Sequence, residues 1–214
     1  MTPKFAQAVD PVLLRILGLL DRISRGESPS PQEERLQVCA LLDQGEALVG
    51  AGQEWDLAKY ALVSWIDEVL LETPWDGREW WGNNVLEVEL FNTRLCNEQF
   101  YVRAQEASTL ARRDALEVFY VCVVLGFRGL YRDPEMAHMF TGARGLPPDL
   151  ESWSKQASLS IRLGQGRPEL APPIREVHGA PPLGTKPLVA KSWLSAVLLA
   201  ACAVVYYFTI FQFS

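Results

Sequence analysis

The chain has 214 residues, a length that allows one domain of ordinary size and an appendage. Hydrophobic residues make up 49% and charged residues 21%, which excludes a chain disordered throughout. A net charge of −6 argues against a nucleic-acid binder, which needs a broad basic face.

The N-terminal run MTPKFAQAVDPVLLRILGLLDR does not read as an export signal, because Asp10, Arg15, Asp21 and Arg22 interrupt its apolar residues. It reads as an amphipathic helix in which Val12, Ile16, Leu19, Leu20 and Ile23 share one stripe. The loop RGESPSPQEER ends in a helix-start signal: Ser30 can cap, Pro31 fits the first helical position, and Glu33 completes a capping box. That second helix passes through Leu36, Leu41, Leu42 and Leu48, and Gly50 and Gly52 end it. A third covers Trp55 to Glu72, closed by Thr73-Pro74 because the residue before a proline avoids the helical region. Further helices fit NVLEVELFN, NEQFYVRAQEAS and RRDALEVFYVCVVLGF. A short one follows Asp133-Pro134, and PPDLESWSKQASLSIRL supplies the last. Strand-like alternation is confined to EVFYVCVV. The expectation is an all-α bundle of about seven helices over residues 1–162, long enough to bury a real core.

Residues 163–191 are rich in Pro and Gly and have no period, so they read as a tether. From Trp193 to Phe213 no residue is charged, and about 20 apolar residues at roughly 1.5 Å each cross a hydrocarbon core. Lys186 and Lys191 precede this run. The positive-inside rule therefore leaves residues 1–191 in the cytoplasm and sends the C-terminus across a membrane. Residues 192–214 are expected to be a single C-terminal transmembrane anchor. Cys39, Cys96, Cys122 and Cys202 are far apart, and with only His138 and His178 beside them no metal site is expected. Cys39, Cys122 and Cys202 lie in apolar helical runs and read as small hydrophobes in a reducing compartment.

Two adjacent acids, Asp67 and Glu68, sit in the middle of the third helix. At 100° per residue, Leu62, Val63, Ile66, Val69 and Leu70 make one apolar face. Asp67 falls at its edge, half buried and in need of hydrogen bonds or a cation. Glu68 lies on the far side with Ser64 and Glu72, free to meet solvent or a partner. The segment GFRGLYR, with Arg128 and Arg132, offers the cations to answer Asp67. Trp75, Trp80 and Trp81 follow the proline turn, either as a binding platform or as a plug for the end of the bundle. Paired carboxylates can serve acid–base catalysis, but these point apart and have no nucleophile, histidine or phosphate loop nearby. No catalytic residue and no cofactor is expected.

Taken together, YALVSWIDEVLLETPW, LEVELF, EQFY, LEVFYVCVVLGFRGLYR and a C-terminal span resemble the TssL family of type VI secretion systems. The DotU (IcmH) proteins of type IVB systems are close relatives of that family. The likeness runs from Phe5 to Arg162 and includes the anchor; the loop at Cys96-Asn97 departs from the family's glycine-containing turn, and no peptidoglycan-binding extension follows the span. It implies a hook-like cytoplasmic helical domain on the inner membrane. A TssM-like inner-membrane protein and a TssK-like baseplate subunit are the implied partners, with self-association as a dimer and the C-terminus in the periplasm. It also ties the acidic pair to partner contacts. Asp67, Glu68, Glu72 and Trp75 form the expected partner-binding set, and Asp67, Arg128, Tyr131 and Arg132 the expected structural, ion-pairing set. A non-enzymatic secretion component leads the readings. A tail-anchored regulator holding a partner helix in an apolar groove is the runner-up, and a membrane-bound hydrolase comes third. Neither alternative explains the acidic pair and GFRGLYR together.

Overall fold

The computed structural model describes residues 1–164 and 193–205. The chain divides into two units, Met1–Pro168 and Glu169–Ser214. The described residues of the first unit form α1 (Pro3–Ser24), α2 (Pro31–Val49), α3 (Gln53–Glu72), α4 (Arg78–Asn83), α5 (Leu86–Phe91) and α6 (Cys96–Thr109), then α7 (Asp114–Val124), a 3-10 turn (Gly129–Arg132), α8 (Pro134–Arg144) and α9 (Leu150–Gly164). No strand occurs among the described residues, as the periodicities led one to expect. The helices outnumber the expected seven. The tryptophan segment forms the short α4, and α9 runs through Leu163 and Gly164, two residues into the expected tether.

The first two helices follow their local signals. In α1 the stripe Val12, Ile16, Leu19 and Ile23 is buried, and Phe5, Ala8 and Val9 extend it toward the N-terminus. Pro11 lies on the exposed face, where its missing N–H leaves one helical carbonyl to water. The α2 start is capped as expected, Glu33 N–H donating to Ser30 Oγ at 3.5 Å, and Gly50 ends the helix at φ +98°. The expected apolar stripe of α2 needs correction: Val38 and Leu42 are buried, while Leu36 is 69% exposed. In its place α2 buries Glu34, whose carboxylate accepts from Arg15 Nε at 2.9 Å and Arg22 Nη1 at 2.8 Å. That ion-paired acid ties the α1–α2 hairpin together.

Helix α3 is the spine. It packs against α1, α2, α4, α5, α6 and α7 and buries thirteen of its 20 residues. A helix covered all round needs no single apolar face. The expectation of one face and one open back therefore fails. Helix α7 fills the groove between α3, α6 and α9, and α8 packs on the 3-10 turn. Aromatic rings close the centre, with Phe100 stacked on Phe127 at 3.9 Å and Tyr101 edge-on to Tyr131 and Trp153.

In the second unit residues 193–205 are helical, and Trp193, Leu194, Val197, Leu198 and Leu199 are exposed. No helix among the described residues is long and apolar enough to cross a membrane. The remainder of the expected tether, residues 165–191, and the end of the expected anchor, residues 206–214, lie outside the described residues.

Candidate functional site

The site is assembled where the C-terminal half of α3 meets the α4–α5 connection and the GFRGLYR segment. Asp67 is 2% exposed and accepts three hydrogen bonds. Trp81 Nε1 donates to Oδ1 at 2.9 Å, Leu86 N–H to Oδ1 at 3.0 Å, and Glu87 N–H to Oδ2 at 2.9 Å. All three donors are neutral, and no ion pair reaches Asp67 among the described residues. The expected answer from Arg128 or Arg132 is thus corrected. The acid clips α3 to the tryptophan segment and to the start of α5, satisfying two helix-start amides that would otherwise be orphaned. Burial pushes its carboxyl up from 3.8 to about 6, with the three donors pulling the other way.

Glu68 was expected to be free for solvent or a partner, and that too is corrected. It is 6% exposed, because the chain after α7 folds across the back of α3. Arg128 N–H donates to Oε1 at 2.6 Å and Gly129 N–H to Oε2 at 2.9 Å, while Arg132 Nη2 stands 3.0 Å from Oε1. Gly129 adopts φ +47°, where a Cβ would lie 2.7 Å from the Phe127 ring. Glycine is what lets two successive amides converge on one carboxylate. Arg132 also pairs with Glu72, whose side chain is 45% exposed. Arg128 caps the C-terminal end of α7, its Nη1 donating to Val123 O at 3.2 Å and Phe127 O at 3.1 Å. That is a favourable place for a cation. Tyr131 anchors the turn to the loop before α9 by donating to Pro147 O at 2.7 Å.

Trp75 is half-buried. It donates from Nε1 to Leu70 O at 2.9 Å and tilts against Trp81 at 6.4 Å between ring centroids. Trp80 meets the other edge of Trp81, so the tryptophans close the end of α3 as a plug would.

Sequence reasoning missed Glu87. It is 1% exposed and accepts from Tyr60 Oη at 2.9 Å, Thr93 Oγ1 at 2.6 Å, Leu95 N–H at 3.0 Å and Cys96 N–H at 3.1 Å. It orders the loop after α5, turned by Asn92 at φ +53°, and satisfies the start of α6. The departure at Cys96-Asn97 is accommodated there. The Cys96 thiol is pushed up by burial and by the Glu87 carboxylate, which keeps it protonated. The only signal available was an acid shortly before a helix whose own start carries no capping side chain.

Asp67, Glu68, Glu72, Glu87, Arg94 and Arg132 line a cavity of about 270 Å³. Four carboxylates against two guanidiniums leave it acidic. Three of the acids are committed to internal donors, and Glu72 stands at the mouth. The arrangement can receive a basic group; the described residues assemble no nucleophile–base pair and no cluster of His, Cys, Asp and Glu able to hold a metal.

Comparison with known proteins adds two likenesses. The model of the family described as type VI secretion system protein DotU matches residues 4–213. The cytoplasmic domain of TssL from Acinetobacter baumannii has a similar solved structure, with a TM-score of 0.55 at 24% identity, covering 74% of this chain and 98% of that one. At that identity the likeness speaks to the fold. No curated protein matches the chain.

Proposed function

The chain belongs to the type VI secretion system protein DotU family, and from that premise we propose that it is the non-enzymatic inner-membrane component that docks the cytoplasmic baseplate to the envelope channel. The partners in this reading are a TssK-like baseplate subunit and a TssM-like membrane protein. The observation that carries it is the acidic cavity with the half-exposed Glu72–Arg132 pair at its mouth. A rim carboxylate beside an acidic hollow favours a partner presenting Arg or Lys. The exposed apolar helix over 193–205, continued in sequence by uncharged residues to Phe213 and preceded by Lys186 and Lys191, supports a single-pass anchor with its C-terminus in the periplasm. Small residues such as Ala196, Ala200 and Ala203 in that segment would allow two anchors to pack closely as a dimer.

Glu72→Lys in the full-length chain tests the docking reading. The substitution reverses charge at the mouth while Asp67 and Glu68 keep their backbone donors. Capture of the TssK-like subunit from the same locus should fall at least tenfold, capture of the TssM-like protein should be unchanged, and the melting temperature should stay within a few degrees of the parent. Unchanged capture of the TssK-like subunit would remove the acidic mouth from the interface. Genes for a contractile sheath beside this one would assign the system to type VI rather than type IVB.

A further inference from the structure

The docking reading brings a basic group to the acidic mouth, and the mouth already holds one. Arg132 reaches back from the end of the 3-10 turn, with Nη2 3.0 Å from Glu68 Oε1 and Nη1 paired with Glu72. Those two acids lie one turn apart on α3, so they point the same way. One guanidinium spans them because its donors sit on separate nitrogens of a planar fork. A lysine ammonium offers a single point of charge instead. Leu71 and Val85 also line the hollow, apolar wall on which the methylene stem of a long side chain can lie.

The two ends of this bridge are not held alike. Glu68 keeps a donor on each oxygen if Arg132 leaves, from Arg128 N–H at 2.6 Å and Gly129 N–H at 2.9 Å. The Glu72 side chain makes no other polar contact among the described residues, and it and Arg132 are 45% and 51% exposed. An ion pair that open to water contributes little, so drawing Arg132 aside costs the fold little. It frees a rim carboxylate for another cation. The second guanidinium of the cavity differs: Arg94 Nη2 donates to Gly82 O at 2.5 Å and pairs with no carboxylate among the described residues.

We propose that the mouth takes an arginine side chain of the docking partner, and that Arg132 is a resident competitor displaced from Glu72 when the partner's guanidinium arrives. The partner's identity rests on the docking reading; the exchange of one guanidinium for another does not. Removing Arg132 therefore strengthens docking, where the loss of an ordinary interface residue weakens it.

The full-length chain in detergent, with 15N in its arginines and tryptophans, tests the exchange with N-acetyl-arginine amide as the probe. One reporter is the Arg132 Nε–H, assigned by its loss in Arg132→Gln. The other is the Trp81 indole N–H, which donates to Asp67 in the cavity wall and is assigned by its loss in Trp81→Phe. In the parent the probe should shift both saturably. Arg132→Gln should bind it about fivefold more tightly, read at Trp81, which is ~1 kcal/mol and the upper value for an exposed pair. Arg94→Gln removes the same charge from the same cavity and should tighten binding far less. N-acetyl-lysine amide should bind more weakly than the arginine compound. No shift at either reporter, or a Trp81 shift with Arg132 Nε–H unmoved, overturns the exchange; the parent chain alone gives this result, whatever the stability of the variants. Equal tightening in Arg94→Gln also overturns it, by reducing the gain to net charge. Equal binding of the lysine compound overturns arginine as the ligand. Capture of the TssK-like subunit should rise in Arg132→Gln. Capture indifferent to both Arg132→Gln and Glu72→Lys, beside a probe that does displace Arg132, overturns the docking reading and leaves the exchange standing.

Discussion

Asp67 collects its three N–H donors from residues 14, 19 and 20 positions further along the chain, so one carboxylate fixes a whole connection. Asp67→Ala would orphan Trp81 Nε1 and the Leu86 and Glu87 amides. At about 1–3 kcal/mol for each buried unpaired donor, a loss of several kcal/mol is expected in urea or thermal melts of residues 1–164. Burial also sets a pH dependence. Because the folded carboxyl is raised from 3.8 to about 6, the native state holds that proton more tightly than the unfolded chain does. The contribution is fully present below the unfolded value and is lost as pH rises through about 6, a change of roughly 3 kcal/mol. The stability difference between the parent and Asp67→Asn should therefore narrow or reverse between pH 4 and pH 7; parallel curves would refute a raised Asp67. Glu68 behaves as a structural acid as well. Glu68→Lys removes the acceptor for two amides and sets a cation against Arg132. It should cost about 3–5 kcal/mol, the range for breaking a buried pair, where an exposed charge would cost almost nothing.

At the scale of elements, the GFRGLYR segment works as a strap across α3. Its hold rests on Gly129, whose positive φ aims two amides at Glu68. Gly129→Ala brings a Cβ to 2.7 Å from Phe127 and 3.1 Å from Asn97 O, in a conformation that L residues resist. Thermal melts should show a loss of about 1–3 kcal/mol, and Arg132 should release Glu72 as the strap shifts. Parent-like melting would mean that the strap tolerates a side chain there. Much of this architecture was legible beforehand. Periodicity, the Ser30 cap, Gly50 and Pro74 located the long helices. What the chain order does not reveal is how many neighbours surround a helix. From spacing alone α3 has one apolar face, and Glu68 falls opposite it. The fold covers the back as well, and a carboxylate there is stable because backbone amides arrive from 60 residues away. The same limit hid Glu87, whose donors come from Tyr60 and from the loop after it, and assigned the wrong acid to the arginines.

For the whole molecule, the proposed docking role raises the question of how the domain would be held at a membrane. Residues 1–164 bury their own core, and the described part of the apolar C-terminal segment buries none of its side chains within this chain. Thirteen helical residues at 1.5 Å each reach about 20 Å, short of the roughly 30 Å of a hydrocarbon core. If the helix continues through the uncharged residues to Phe213, its 21 positions reach about 31 Å, and the two lengths match. In the proposed topology the lysines at 186 and 191 would then stay on the cytoplasmic side. A phosphatase reporter fused after Ser214 should be active in the periplasm, and one fused before Met1 inactive. Replacing Ala203 by Arg, at the middle of the run, should move a substantial share of the protein from the membrane fraction to the soluble one, since a central charge costs about 2.5–3.5 kcal/mol of insertion. An inactive C-terminal reporter, or a parent chain found wholly in the soluble fraction, would place the apolar segment against protein instead of lipid and would end the single-pass reading.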